Sequence, residues 1–88
     1  MPRRNMNVPA RRPRAYRPDA AEALARIDAK RARLDVSWAE LAARVGLSDR
    51  ALRSMRRDGR AFPRHVRALT FALRTIERER EAEDGALR

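Results

Sequence analysis

From residue 19 onward the apolar positions recur at three- and four-residue spacing, and no stretch alternates as a strand would. The first stretch puts Leu24, Ile27 and Leu34 on one side with Ala20 and Ala23. Only Arg31 interrupts that seam, and its stem is long enough to cover it. Asp19 follows Pro18 and precedes Glu22 by three residues, a capping-box pattern that predicts a helix over about 19–34. Leu41, Ala42 and Val45 give the inner face of a short second helix over about 38–45. Ser37 is its cap, Glu40 completes another capping box, and Gly46 is suited to end it in a left-handed conformation. A third helix is predicted from Ser48 to Arg57 or Asp58, before Gly59, with Leu52 and Met55 as its apolar pair. The last follows Phe62-Pro63, where proline suits a first turn, and Val66, Leu69, Leu73 and Ile76 form its stripe. Phe71 lies off the stripe. From Glu77 to Asp84 the pattern is charged all round, so this end is expected to fray or project into solvent.

These elements predict an all-α fold, a compact domain of four or five helices over 19–80, with a basic arm at 1–18 and a charged tail at 81–88. A chain of 88 residues holds one small core, built from roughly a dozen larger apolar side chains. Such a core is marginal alone, so pairing with a second copy is expected to help. Phe71, Leu73 and Ile76 on the last helix are the candidate dimer interface.

Charge narrows the picture. The net charge is +10, which points to a polyanionic partner. Residues 1–18 carry six arginines and no acid, and residues 48–67 carry seven arginines against Asp49 and Asp58. Elsewhere the two signs nearly cancel. Arginine outnumbers lysine twenty-one to one, a bias that fits GC-rich coding and is not itself evidence of bidentate arginine chemistry. The arm holds Pro2, Pro9, Pro13 and Pro18 and is expected to be extended or disordered when free. It is either a solvated tail or a strand laid along phosphates or in a minor groove, with Arg11, Arg12 and Arg14 as candidate contacts and Tyr16 as an anchor. A mitochondrial transit segment fits poorly, because the arm lacks serine and its prolines break a helix.

Other classes fall away. Without cysteine there is no disulfide scaffold, thiolate metal site or cysteine nucleophile. His65 has no second histidine to share a metal and reads as an exposed helix residue. The acids from Glu77 to Glu81 read as a solvated face. No nucleophile–base pair or phosphate loop is visible, so neither an enzyme nor a cofactor or small-molecule ligand is expected. No apolar run reaches membrane-span length and no secretory core follows the basic start, so no membrane partner and a cytoplasmic location are expected.

The segment from Trp38 to Arg57 carries the function. Ala42 is small where two helices cross, Gly46 four residues later supplies the turn, and Leu47 plugs the core before the Ser48 cap. Leu52 and Met55 then hold the second helix on the first. Five positions with distinct physical tasks make a helix-turn-helix over 37–57, against the alternative of an ordinary helical corner that binds nothing. In that motif the start of the second helix enters the major groove of double-stranded DNA. Its polar face holds the candidate base-reading residues Asp49, Arg50, Arg53 and Ser54. Arg50 and Arg53 lie one turn apart, each able to clamp a guanine, while Asp49 either accepts from a cytosine or orients Arg53. Arg44, Arg56, Arg57, Arg60 and Arg64 are candidates for phosphate, as are Ser37 and Ser48 at helix starts with free N–H groups. Trp38 reads as partly core and partly a platform against the DNA backbone.

With these residues the chain resembles the Cro/CI-type helix-turn-helix regulators of phages and bacteria, over about 19–76 and most closely over 37–57. Within that group, Gly46-Leu47-Ser48-Asp49-Arg50, with Arg53 and Pro63-x-x-Val66, is similar to the anti-CRISPR-associated autorepressors. The resemblance implies a small homodimer, encoded by a phage or mobile element in a bacterial cell. It would bind a palindromic operator in an anti-CRISPR operon promoter and shut that operon down. It also implies base contact by Arg50. Some of those regulators carry arginines early in the helix before the turn, where Ala39 and Glu40 stand here, so that contact is absent or has moved to Arg44. Two other classes share the same features. One is a DNA-targeting accessory subunit of a phage recombination or packaging complex, docking through the tail from Glu77. The other is a small RNA-binding or nucleoid protein that relies on the arm.

Overall fold

The computed structural model describes residues 17–86, and these form four helices. They are α1 (Ala21–Leu34), α2 (Trp38–Val45), α3 (Asp49–Asp58) and α4 (Pro63–Ala86). Among the described residues there is no strand, only an isolated antiparallel bridge between Asp19 and Arg60. None of these helices is long and apolar enough to cross a membrane. The arm residues Arg11, Arg12, Arg14 and Tyr16 lie outside the described residues.

That bridge corrects the expected start of α1. Residues 18–20 pair with the loop after α3: the Ala20 N–H donates to Gly59 O at 2.9 Å and the Ala61 N–H to Pro18 O at 3.3 Å. Ala20 thereby becomes the N-cap, without a side-chain cap bond, and the helix begins two residues later than Asp19. Asp19 Oδ1 instead accepts from the Ala21 N–H at 3.0 Å, and Glu22 pairs with Arg26 rather than closing a capping box. The other end is closed by Asp35 in the left-handed region (φ 58°), with the Val36 N–H bonded to Arg31 O at 3.0 Å. Val36 then drops into the core.

The turn forms as its residues dictate. Ser37 Oγ accepts from the Glu40 N–H and Ser48 Oγ from the Ala51 N–H, both at 3.0 Å. The reciprocal bond from the Ser37 N–H to the Glu40 carboxylate is not among the hydrogen bonds of the described residues, so only half of that box closes. Gly46 sits at φ 73°, and the Leu47 N–H reaches back to Ala42 O at 3.0 Å. A side chain at Gly46 would meet nothing within 4 Å, so its cost there is purely backbone. Gly46→Ala is therefore expected to lose roughly 1–2 kcal/mol of stability. Urea denaturation checks this, and an unchanged midpoint would contradict it.

α4 lies across α1 and α2 and buries Leu69, Ala72, Leu73 and Ile76 against Leu24, Ile27 and Leu41. Leu52 and Met55 attach α3 to the same core. This corrects the dimer expectation at two of its three positions. Leu73 and Ile76 are each 1% exposed within the single chain, because the α4 stripe is already covered by α1 and α2. Phe71 alone stays out, 64% exposed, beside a groove of about 300 Å³ lined by Val45, Ala68, Ala72 and Thr75.

The charged end of α4 also differs from expectation. It stays helical to Ala86, and its first turns are tethered instead of fraying. Glu77 pairs with Lys30 at 2.9 Å and Arg33 at 3.8 Å, and Arg80 donates to Leu34 O. Glu79 takes both Nη atoms of Arg44, at 2.8 and 3.1 Å.

Candidate nucleic-acid interface

α3 presents its polar face because Leu52 and Met55 are its buried pair and everything opposite them is outside. At its start, Asp49 and Arg53 are joined in an i,i+4 ion pair. Arg50 is exposed and makes no hydrogen bond or ion pair among the described residues. Ser54 is half-buried and donates to Asp58 Oδ2 at 3.4 Å, so its hydroxyl faces along α3 and is not held outward for a base.

The other end of α3 is organised by Asp58, a residue to which the sequence alone assigns no role. Its carboxylate takes Arg57 Nε at 3.1 Å and Arg17 Nη2 at 3.4 Å, while Arg60 Nη1 donates to Arg17 O at 3.1 Å. Arg17 is thus held beside the end of α3. Among the other phosphate candidates, Arg64 lies over the Phe62 ring at 4.6 Å and Arg56 over the Trp38 ring at 4.5 Å. Ser37 and Ser48 spend their hydroxyls on their own helices, which leaves the first N–H groups of those helices open. Arg44 is occupied by Glu79 in the free protein, so a phosphate must displace that carboxylate to reach it.

These pairings move protonation in predictable directions. The hydrogen bond from Arg57 holds the Asp58 carboxyl below its ordinary value, aided by the Arg57 and Arg17 charges. Arg44 does the same to Glu79, and Lys30 to Glu77. Conversely, the hydrogen bond to Glu79 raises Arg44 further. His65 corrects its expectation: it is half-buried, edge-on to Phe62 at 5.6 Å, and burial lowers its pKa, with Arg64 adding to the effect.

For a lowered histidine, stability is full above the unfolded value near 6.5 and falls as pH drops below it toward the folded value. The lowered carboxylates act in the same direction at lower pH, their contribution disappearing as pH falls below their ordinary values of 3.8 and 4.5 and through their folded ones. Urea midpoints are therefore expected to drop in two stages on acidification. His65→Gln should remove the stage that sets in as pH falls below about 6.5 and leave the one in the acidic carboxylate range. A variant with the unaltered two-stage profile would exclude His65 as the source.

Two features of the site had no local signal. The Trp38–Arg56 stack joins residues eighteen positions apart on different helices, and the pairing of 18–20 with 59–61 joins two short irregular segments. The Ser54–Asp58 contact, by contrast, follows from i,i+4 spacing. Comparison of the chain with known protein families, with characterised proteins and with solved structures returns no match.

Proposed function

We propose that the chain is a sequence-specific double-stranded DNA-binding repressor of the Cro/CI helix-turn-helix kind, a homodimer acting on an inverted repeat in its own promoter. The observation that carries the proposal is α2–Gly46–α3, a capped helical corner whose second helix exposes Arg50 and Arg53 one turn apart. A net charge of +10, with seven arginines at 48–67, supplies attraction to phosphate. Arg56, Arg57, Arg60 and Arg64 would then fix orientation while the start of α3 reads bases. The operon would be an anti-CRISPR operon on the strength of the sequence resemblance. In the dimer, Phe71 carries the apolar contact, since Leu73 and Ile76 are spent on the core.

The accessory-subunit reading relies on the tail from Glu77 as a docking segment. It is weakened by Glu77 and Glu79, which are already engaged by Lys30 and Arg44. The arm-only reading separates cleanly in one experiment, in which deletion of residues 1–16 is compared with Arg50→Ala on a bound duplex. Loss of sequence preference with Arg50→Ala, and of affinity alone with the deletion, supports the proposal. Binding that survives Arg50→Ala unchanged and vanishes with the arm overturns it.

A further inference from the structure

We infer that Trp38 is a positioning residue for the DNA backbone, carrying the Arg56 guanidinium on its ring and holding it ready for a phosphodiester oxygen. The inference rests on the DNA-binding proposal above and adds to it how one phosphate contact is prepared.

Two guanidiniums lie over this ring, and they differ in what they have left to give. Arg31, with its Cζ 5.2 Å from the ring centroid, is spent. Its Nη1 donates to Val36 O at 2.9 Å, and its Nε and Nη2 to Asp28 Oδ1 at 3.0 and 2.7 Å. Arg56, at 4.5 Å, makes no hydrogen bond or ion pair among the described residues. The ring therefore fixes its position while every N–H donor stays open.

No other arginine of α3 combines these two properties. Arg53 is paired with Asp49 and Arg57 with Asp58, so each meets a phosphate with its charge partly offset by a neighbouring carboxylate. Arg50 is open but rests on nothing, so it loses its rotamer freedom on binding. Arg56 has surrendered much of that freedom on folding, which is the physical content of preorganisation. The platform is itself fixed. Trp38 is the first residue of α2, half-buried against the core, immediately after the Ser37 cap. Asp28 balances Arg31, so the charge left facing solvent at this ring is that of Arg56.

A double-mutant cycle on the full chain tests the inference, with binding to a bound duplex measured across a salt series. Arg56→Ala is expected to weaken binding roughly fivefold and to reduce the log–log salt slope by about 0.9. Trp38→Leu should cost a similar factor when Arg56 is present and almost none in the Arg56→Ala background, while Trp38→Phe keeps most of the affinity. Trp38 is the single tryptophan, so its emission should change when duplex is added to the unaltered chain and not when it is added to Arg56→Ala. Should Trp38→Leu fail to fold, the emission comparison decides by itself. Equal losses from Trp38→Leu in both backgrounds would mean that the ring only packs, and would overturn the inference. So would an Arg56→Ala chain with unaltered salt slope and emission response, while Arg50→Ala still weakens binding. A chain that binds no duplex at all would instead remove the DNA-binding proposal, and this inference with it.

Discussion

Arg50→Ala is expected to weaken binding to the preferred duplex by about 1–3 kcal/mol, a factor between roughly 5 and 150. Binding to unrelated duplex should change much less. In the free protein Arg50 is exposed and makes no hydrogen bond or ion pair among the described residues. Its removal should therefore leave stability within about 0.5 kcal/mol, so any loss of binding is a loss of contact. Arg53 differs because it is already ion-paired with Asp49 in the free protein. Arg53→Ala should accordingly cost less than Arg50→Ala. Titration of fluorescent duplexes at fixed salt measures both. Equal losses on preferred and unrelated sequences would reassign Arg50 to phosphate.

Leu69→Ala is expected to remove about 2–5 kcal/mol of stability. Leu69 is 0% exposed at the centre of the α4 stripe, where α4 lies over α1 and α2. A domain of this length is held by roughly 4–13 kcal/mol in all, so the melting temperature should fall by roughly 10–30 °C. Little can compensate, because four of the buried apolar residues, Ala20, Ala42, Ala61 and Ala72, contribute a single methyl each. Phe71→Ala is the control. It deletes a larger side chain from the same helix, but one that is 64% exposed, so the loss within one chain should stay below about 1 kcal/mol. Thermal melts of the two variants side by side check the contrast, and similar losses would contradict the assignment of Leu69 to the core and Phe71 to the surface.

Local chemistry made much of the fold legible. Ser37, Gly46, Ser48 and Gly59 each dictate a helix end through their own hydroxyl or positive φ, and all four helix ends lie where those residues put them. Periodicity likewise picked the right face of α4. It was silent on what covers that face, which is why Leu73 and Ile76 read as spare surface when α1 and α2 already bury them. The same limit applied to charge. Glu77 and Glu79 look solvated in their own stretch of sequence, but the fold brings Lys30 and Arg44 alongside them. At the candidate site, the exposure of Arg50 and the pairing of Asp49 with Arg53 followed from helical spacing. The Arg56–Trp38 stack and the Asp58 cluster did not, because their partners arrive from other elements.

If α3 reads sequence, fragments selected by the chain from random duplex DNA at a stated salt concentration share a motif. An enriched inverted repeat is expected, with half-sites about one helical turn apart. Each half-site should contain a guanine whose replacement matters to the unaltered chain and not to Arg50→Ala. Recovery of fragments with no shared sequence, bound equally well by the chain lacking Arg50 and Arg53, would contradict sequence reading by α3.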